Sequence, residues 1–582
     1  MNRTGRIRGV EFLLLHAGLW CVALCVSGCD SGDTPGGASG SSSAAGSGVS
    51  GLTFAELKRR DDRAADIGQF CGACHAVPLP QSFPKDAWYE EVRRGFDFYH
   101  QSGRTDLTAP LPQDVSAFYR DYAPVEFEIP ELPANPSASV AFDVQEVSIS
   151  VPSIRTPPSV SFVEIRPGSG GKPEIWYSDM RSGAAGQLAV TRASGADAAD
   201  AAAVRISRNR IAHNPVAVRP VDLDGNGIDD LLFTDLGSYI PEDHDRGQLV
   251  RLPDGMGETP GTPEVLLGSA GRVADVCVAD FTGDNLPDLI VAEFGWRKTG
   301  GIHLLTNQGL TNGQPVFSQQ LIDKRAGTIN IVPVDLDNNG TLDFVASISQ
   351  EHEQIVAFLN APDGFQPVVL YAAPDPSWGT SGIAMVDLDS DGDQDFLYTN
   401  GDTFDSNLVK PYHGIWWLEN KGQLNAASAE AAAKASTEDG KQSNSWRDEP
   451  MPFEAHRLTA MPGVHRALPG DLDGDGDLDI VASALLPSKS ARNTDPQKLD
   501  ALIWLEQVRP GTYERHTIER GRPIYPAIAV TDLDSDNRLD IVAGCFYEDG
   551  DETQPLLKIF WNASESGGGS TGPAAAAVSA SP

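Results

Sequence analysis

VAVRPVDLDGNGIDDLLFTD, residues 216–235, is two short apolar runs on either side of an acidic turn. The turn places Asp222, Asp224, Asn226 and Asp230 at loop positions 1, 3, 5 and 9. The same quartet returns as Asp280, Thr282, Asp284, Asp288; as Asp335, Asp337, Asn339, Asp343; and as Asp387, Asp389, Asp391, Asp395. It returns again as Asp471, Asp473, Asp475, Asp479 and as Asp532, Asp534, Asp536, Asp540. Successive starts are 58, 55, 52, 84 and 61 residues apart. Hard oxygen ligands at alternating positions, completed by the carbonyl of position 7, wrap one Ca²⁺ in a tight loop. The loop lacks the position-12 Glu of an EF-hand, and strands rather than helices flank it. Asp, Asn and Gly also favour plain turns, but six loops with one ligand placement point to metal, up to six Ca²⁺. Thr282 and Arg538 mark the two loops least suited to it.

Each loop is followed by a further apolar segment: GQLVRL, GIHLLTN, QIVAFLN, GIWWLEN, ALIWLEQ and LKIFWN. Three or four strands repeating every 50–60 residues read as a propeller blade. The pattern resembles the FG-GAP/VCBS repeats, and the resemblance implies the propeller fold of integrin α-subunits over residues 158–562. VSFVEI, EIWYSD and GQLAV repeat the unit once more around RPGSGGKP, a turn without carboxylates. The expectation is therefore seven blades, the first without metal. The long fourth spacing is assigned to an Ala/Ser/Glu-rich insertion at 422–447. Five residues after position 9, a column of Asp179, Asp235, Glu293, Ile348, Asn400, Ala484 and Cys545 is expected on the face opposite the loops. Its polar members Asp179, Asp235, Glu293 and Asn400 begin solvated connections, or form a shallow acidic ligand rim with Trp296 and His413 nearby.

Upstream, residues 54–70 have helical spacing and run into Cys71-Gly-Ala-Cys74-His75. Two thiols one helical turn apart bond the vinyl groups of a haem, and the next residue offers an imidazole to iron. This is similar to the c-type cytochromes over residues 53–124, and the resemblance implies one covalent haem c held by Cys71, Cys74 and His75. A thioredoxin-like reading lacks its βαβ context, and a structural zinc site lacks a second ligand pair nearby. No Met lies between Met1 and Met180, so His100, at the end of the helical stretch from Lys85, is the expected sixth ligand; a surface His with five-coordinate iron, or a ligand from elsewhere, is the alternative. Trp88, Phe96, Phe98, Phe118 and Tyr119 are read as haem-packing and core aromatics.

The chain opens with Arg3, Arg6 and Arg8 and an apolar run from Phe12 to Val26, which reads as an export signal over 1–28. Val26-Ser-Gly-Cys29 resembles a bacterial lipobox, implying an acylated Cys29 and anchorage on the periplasmic or cell-surface side of a membrane. Ordinary signal cleavage nearby is the alternative. Residues 29–52 read as a disordered tether, 125–157 as a linker and 563–582 as a disordered tail. A net charge of −37 from 81 acidic and 44 basic residues argues against nucleic-acid partners. Cys277 and Cys545 read as buried thiols rather than a disulfide framework.

Taken together the expected architecture is a small all-α cytochrome c-like domain followed by an all-β seven-bladed propeller. Three functions fit. One is an electron carrier whose propeller docks a redox partner protein or a small-molecule donor or ligand. The second is an oxidoreductase, for instance on sugars, that reduces its own haem. The third is an adhesion or scaffold module with a sensing haem. The first needs only what the sequence carries, so no catalytic residues are assigned.

Overall fold

The computed structural model describes residues 52–73, 76–130, 140–148, 156–168, 171–192, 202–207, 211–404, 408–422, 452–486, 493–550 and 554–564. The expected signal, Cys29 and its tether up to residue 51, Cys74, His75, all but the first residue of the 422–447 insertion, and the tail beyond 564 lie outside the described residues.

Seven four-stranded antiparallel sheets follow one another along the chain. Their first strands are Val160–Pro167, Pro215–Val221, Val273–Ala279, Thr328–Val334, Thr380–Val386, Val464–Gly470 and Ala527–Thr531. The protein is a seven-bladed β-propeller. In blades 2 to 7 the second strand starts at the position-9 carboxylate, as in Asp230–Asp235 and Asp343–Ile348, and is buried end to end. A strand covered by neighbouring blades on both faces must be apolar throughout, which is why these stretches read as continuous runs rather than alternations.

One boundary differs from expectation. Phe142–Val147, inside the stretch assigned as linker, is the outer strand of blade 7, antiparallel to Leu557–Asn562 with Phe142 opposite Asn562 and Val147 opposite Leu557. The start of the propeller thus closes the ring, and Trp561 Nε1 donates to Gln145 Oε1 at 2.9 Å across the seam. An outer strand buries only some of its residues, so FDVQEV carries neither an acidic loop nor an apolar run to betray it.

Among the described residues four α-helices lie ahead of the ring: α1 Phe54–Lys58, α2 Arg63–Cys71, α3 Trp88–Ser102 and α4 Pro112–Tyr122. The helical stretch at 54–70 is broken, because Asp61 accepts from the Arg63 backbone N–H at 3.0 Å and starts a new helix. Thr53 and Glu56 form a capping box on α1, and Gly103, at φ +68°, ends α3 in the left-handed region. Leu57, Ile67, Trp88, Val92, Phe118 and Tyr119 form their core, with Trp88 stacked on Tyr119 at 4.1 Å between centroids.

The helices dock on the propeller face opposite the acidic loops. Asp375, 1% exposed, accepts from the Leu79 N–H at 2.6 Å and the Ser82 hydroxyl at 2.5 Å. Tyr412 donates to the Ser82 carbonyl at 3.3 Å, the buried Lys410 ammonium lies 5.6 Å from the Phe83 ring centroid, and the Arg297 guanidinium stacks 3.9 Å from that of Phe98. Phe98, read as a haem-packing or core aromatic, thus stacks on a propeller arginine at the junction.

Candidate functional site

The six acidic loops share one backbone design. Positions 4 and 6 have positive φ in all of them: Gly225 and Gly227, Gly283 and Asn285, Asn338 and Gly340, Ser390 and Gly392, Gly474 and Gly476, Ser535 and Asn537. Ten of the twelve are Gly or Asn, which tolerate the left-handed region, and Ser390 and Ser535 adopt it as well. Two such residues alternating with the ligand positions curl the chain around its own carboxylates. In four loops three carboxylates bring ligand oxygens within 4.8 Å of one another: Asp335, Asp337, Asp343; Asp387, Asp389, Asp395; Asp471, Asp473, Asp479; and Asp532, Asp534, Asp540.

The position-9 carboxylate also holds the blade. In blade 4, Asp343 Oδ2 accepts from the Leu336 N–H at 2.9 Å and Oδ1 from the Asn360 N–H at 2.7 Å. Asp395, Asp479 and Asp540 repeat both bonds. The residue ending the third strand answers in turn: the Asn360 amide donates to the Leu342 and Phe281 carbonyls, and that of Asn562 to Leu539 and Leu472. Phe281 and Leu472 belong to the preceding blades, so these amides stitch blade to blade. Sequence reading missed this role, although the recurring Asn or Gln at the end of LLTN, AFLN, WLEN, WLEQ and IFWN is its signal.

Burial and neighbouring carboxylates push Asp343 up to about 6 and Asp479 and Asp540 up to about 7. A cluster of like charges gathered around one buried carboxylate is the electrostatic setting a divalent cation relieves. The loop at Asp280 differs, since Thr282 offers a hydroxyl in place of a carboxylate. The Asp222 loop differs more, because Asp224 and Asp230 both bind Arg251.

A further triplet, Glu419, Glu454 and His456, joins two neighbouring strands of blade 5. Lys421 already pairs with both of its glutamates.

The expected acidic rim is corrected by burial. Asp179, Asp235, Glu293 and Asn400 are all buried. Asp179 accepts the backbone N–H groups of Ser159 and Arg181, Asp235 those of His213, Asn214 and Gly237, and Glu293 that of Gly271. Asn400 accepts from Gly414 N–H and Trp416 Nε1. These side chains hold loops in place of facing a ligand. Trp296 and His413 are buried as well, and burial keeps His413 neutral by holding it well below the usual histidine range.

At the junction of helices and propeller lies a cavity of about 320 Å³. Cys71, the last residue of α2, borders it, with Phe70, Phe96, Tyr99, Leu107 and Val115 as apolar walls. The propeller supplies the opposite wall through Arg297, Lys298, Glu351, Pro376 and Ser377. Gly95 also lines the cavity, and a Cβ built there would meet nothing within 4 Å. A glycine inside a helix costs about 1 kcal/mol; here it leaves room.

His100 is not among the residues lining this cavity. It is exposed and borders a separate recess with Lys85, Arg93, Gln113 and Arg120. On α3 the cavity is lined by Gly95, Phe96, Phe98, Tyr99, Gln101 and Ser102 among others, whereas His100 is not in its lining. The expectation that His100 reaches a group held at Cys71 is therefore corrected.

Residues 280–346 and 335–398 match the family described as FG-GAP-like repeat. FG-GAP-like repeats are thus matched in the part of the seven-bladed ring between residues 280 and 398. No curated protein matches the chain significantly. Solved structures that it resembles include the V. cholerae biofilm matrix protein Bap1, at 10% identity and TM-score 0.34, covering 73% of this chain and 91% of that one. Rhamnogalacturonan lyase YesW is another, at 13% identity and TM-score 0.36, covering 72% and 75%.

Proposed function

We propose that this chain is an exported, lipid-anchored c-type haem protein that transfers electrons, carried on a propeller stiffened by calcium. One observation supports the reading above others: the C-x-x-C-H motif begins at Cys71, on the border of an apolar cavity. A thiol pair followed by imidazole is the attachment pattern for haem, and the open space beside Gly95 suits a large flat group. Cys71 and Cys74 would hold the haem and His75 would ligate its iron. The haem would supply one-electron exchange. Phe70, Phe96, Leu107 and Val115 exclude water from the cavity, while Arg297 and Lys298 place positive charge along its propeller side. Cys29 would carry the lipid, keeping the protein at the membrane where a redox partner protein or small-molecule donor meets it. Calcium belongs to the loops whose carboxylates already converge.

Gly95→Leu tests the cavity. The variant is expected to fold with the propeller's normal melting behaviour and to lose most of its haem absorbance, whereas Gly95→Ala keeps it. Full haem content in Gly95→Leu would overturn the assignment.

A further inference from the structure

We infer that the acidic loop at Asp222–Asp230 carries its cation within the chain: the guanidinium of Arg251 takes the place of calcium, and blade 2 folds without that ion. The inference rests on the calcium reading of the other loops.

Arg251 lies in the third strand of blade 2, Gly247–Leu252, and is 0% exposed. Its Nε donates to Asp230 Oδ2 at 2.7 Å and its Nη2 to Asp224 Oδ2 at 2.9 Å. Those are the carboxylates of loop positions 9 and 3, half of the ligand quartet. Its Nη1 donates to Gln314 Oε1 at 2.9 Å, reaching into blade 3, and to Glu264 at 3.4 Å. A planar fork with five donors is suited to bridging two carboxylates, and a divalent ion on the same oxygens would face a buried positive charge one oxygen away.

The substitution is particular to this blade. Arg251 pairs with Leu232 in the sheet. The residues at the same register elsewhere are Leu304, Ala357, Trp417, Trp504 and Ile559, none of them cationic. Trp417 donates to Asp395 Oδ2 at 2.9 Å, so one other blade meets the position-9 carboxylate with a neutral donor and leaves the charge to be balanced elsewhere. Four loops gather three carboxylates within 4.8 Å, and among the described residues the Asp222 loop is not one of them.

Calcium bound per chain, measured by elemental analysis after equilibrium dialysis against CaCl₂, decides the matter with two matched variants. Asp337→Asn, at position 3 of the Asp335 loop, is expected to lose one ion. Asp224→Asn, at the same position here, is expected to keep the wild-type number. Loss of one ion in Asp224→Asn would overturn the inference while leaving the calcium reading intact. A wild-type protein with no bound calcium would overturn that reading, and this inference with it. Arg251→Leu gives a second readout: where it folds, it should gain one ion per chain, and a folded variant with unchanged calcium would count against the exchange of guanidinium for metal.

Discussion

Replacing Asp375 by Ala should loosen the helices from the propeller without unfolding either. The carboxylate is buried and accepts four hydrogen bonds. Two come from the helical segment, Leu79 N–H at 2.6 Å and Ser82 Oγ at 2.5 Å, and two from Ser377 beside it, at 2.7 and 2.5 Å. The Ser377 donors sit on the same loop and can turn to water when it opens. The Leu79 and Ser82 donors face the propeller and lose their acceptor inside the contact. A buried donor left unsatisfied costs about 1–3 kcal/mol, so the docking should weaken by about 2–6 kcal/mol. At about 1.4 kcal/mol per tenfold, the Leu79 amide should exchange with deuterium at least ten times faster in Asp375→Ala. Amides in the second strands of the blades should keep their protection. Asp375→Asn, which keeps one acceptor oxygen, should fall between the two. Unchanged Leu79 exchange in the alanine variant would refute the role given to this contact, and equal acceleration throughout the propeller would show that the residue serves global stability instead.

Calcium chelation should lower the melting temperature of the propeller more than that of the helices, because the carboxylates of four loops are then left to repel one another; coincident shifts would count against it. His100→Ala should leave the haem spectrum unchanged, since the side chain is exposed in a separate recess; a switch from low to high spin would restore it as a ligand. Burial lifts Glu353 from the usual carboxylate range near 4.5 to about 8. Its protonated form is favoured in the folded chain, so the stability it contributes is complete below about 4.5 and is lost as pH rises through about 8. Glu353→Gln should flatten the pH dependence of melting across that window, and an unaltered slope would refute the burial argument.

The ring was legible because its blades repeat chemistry as well as hydrophobicity. Each Asp-rich loop fixes a boundary between two buried strands, and blade 1 could be counted from its strands even without carboxylates. Phe142–Val147 was not legible, since a half-exposed outer strand carries no such mark and its partner lies some 400 residues away. The acidic column misled for a related reason. A carboxylate such as Asp235 at the start of a connection looks solvated in sequence, yet three backbone N–H groups converge on it. His100 misled because spacing from Cys71 says nothing of which side of α3 faces the cavity. Arg251 could have been noticed as the one cation in the third-strand segments of blades 2 to 6, but its partners emerge only from register.

The most direct test of the account is the intact mass of the chain purified from a host that exports it and matures c-type haem. The account predicts a mass exceeding that of the processed and acylated polypeptide by one haem, with that one-haem increment absent when Cys71 and Cys74 are both changed to Ser. A chain at its bare polypeptide mass, with no haem absorbance, would contradict it.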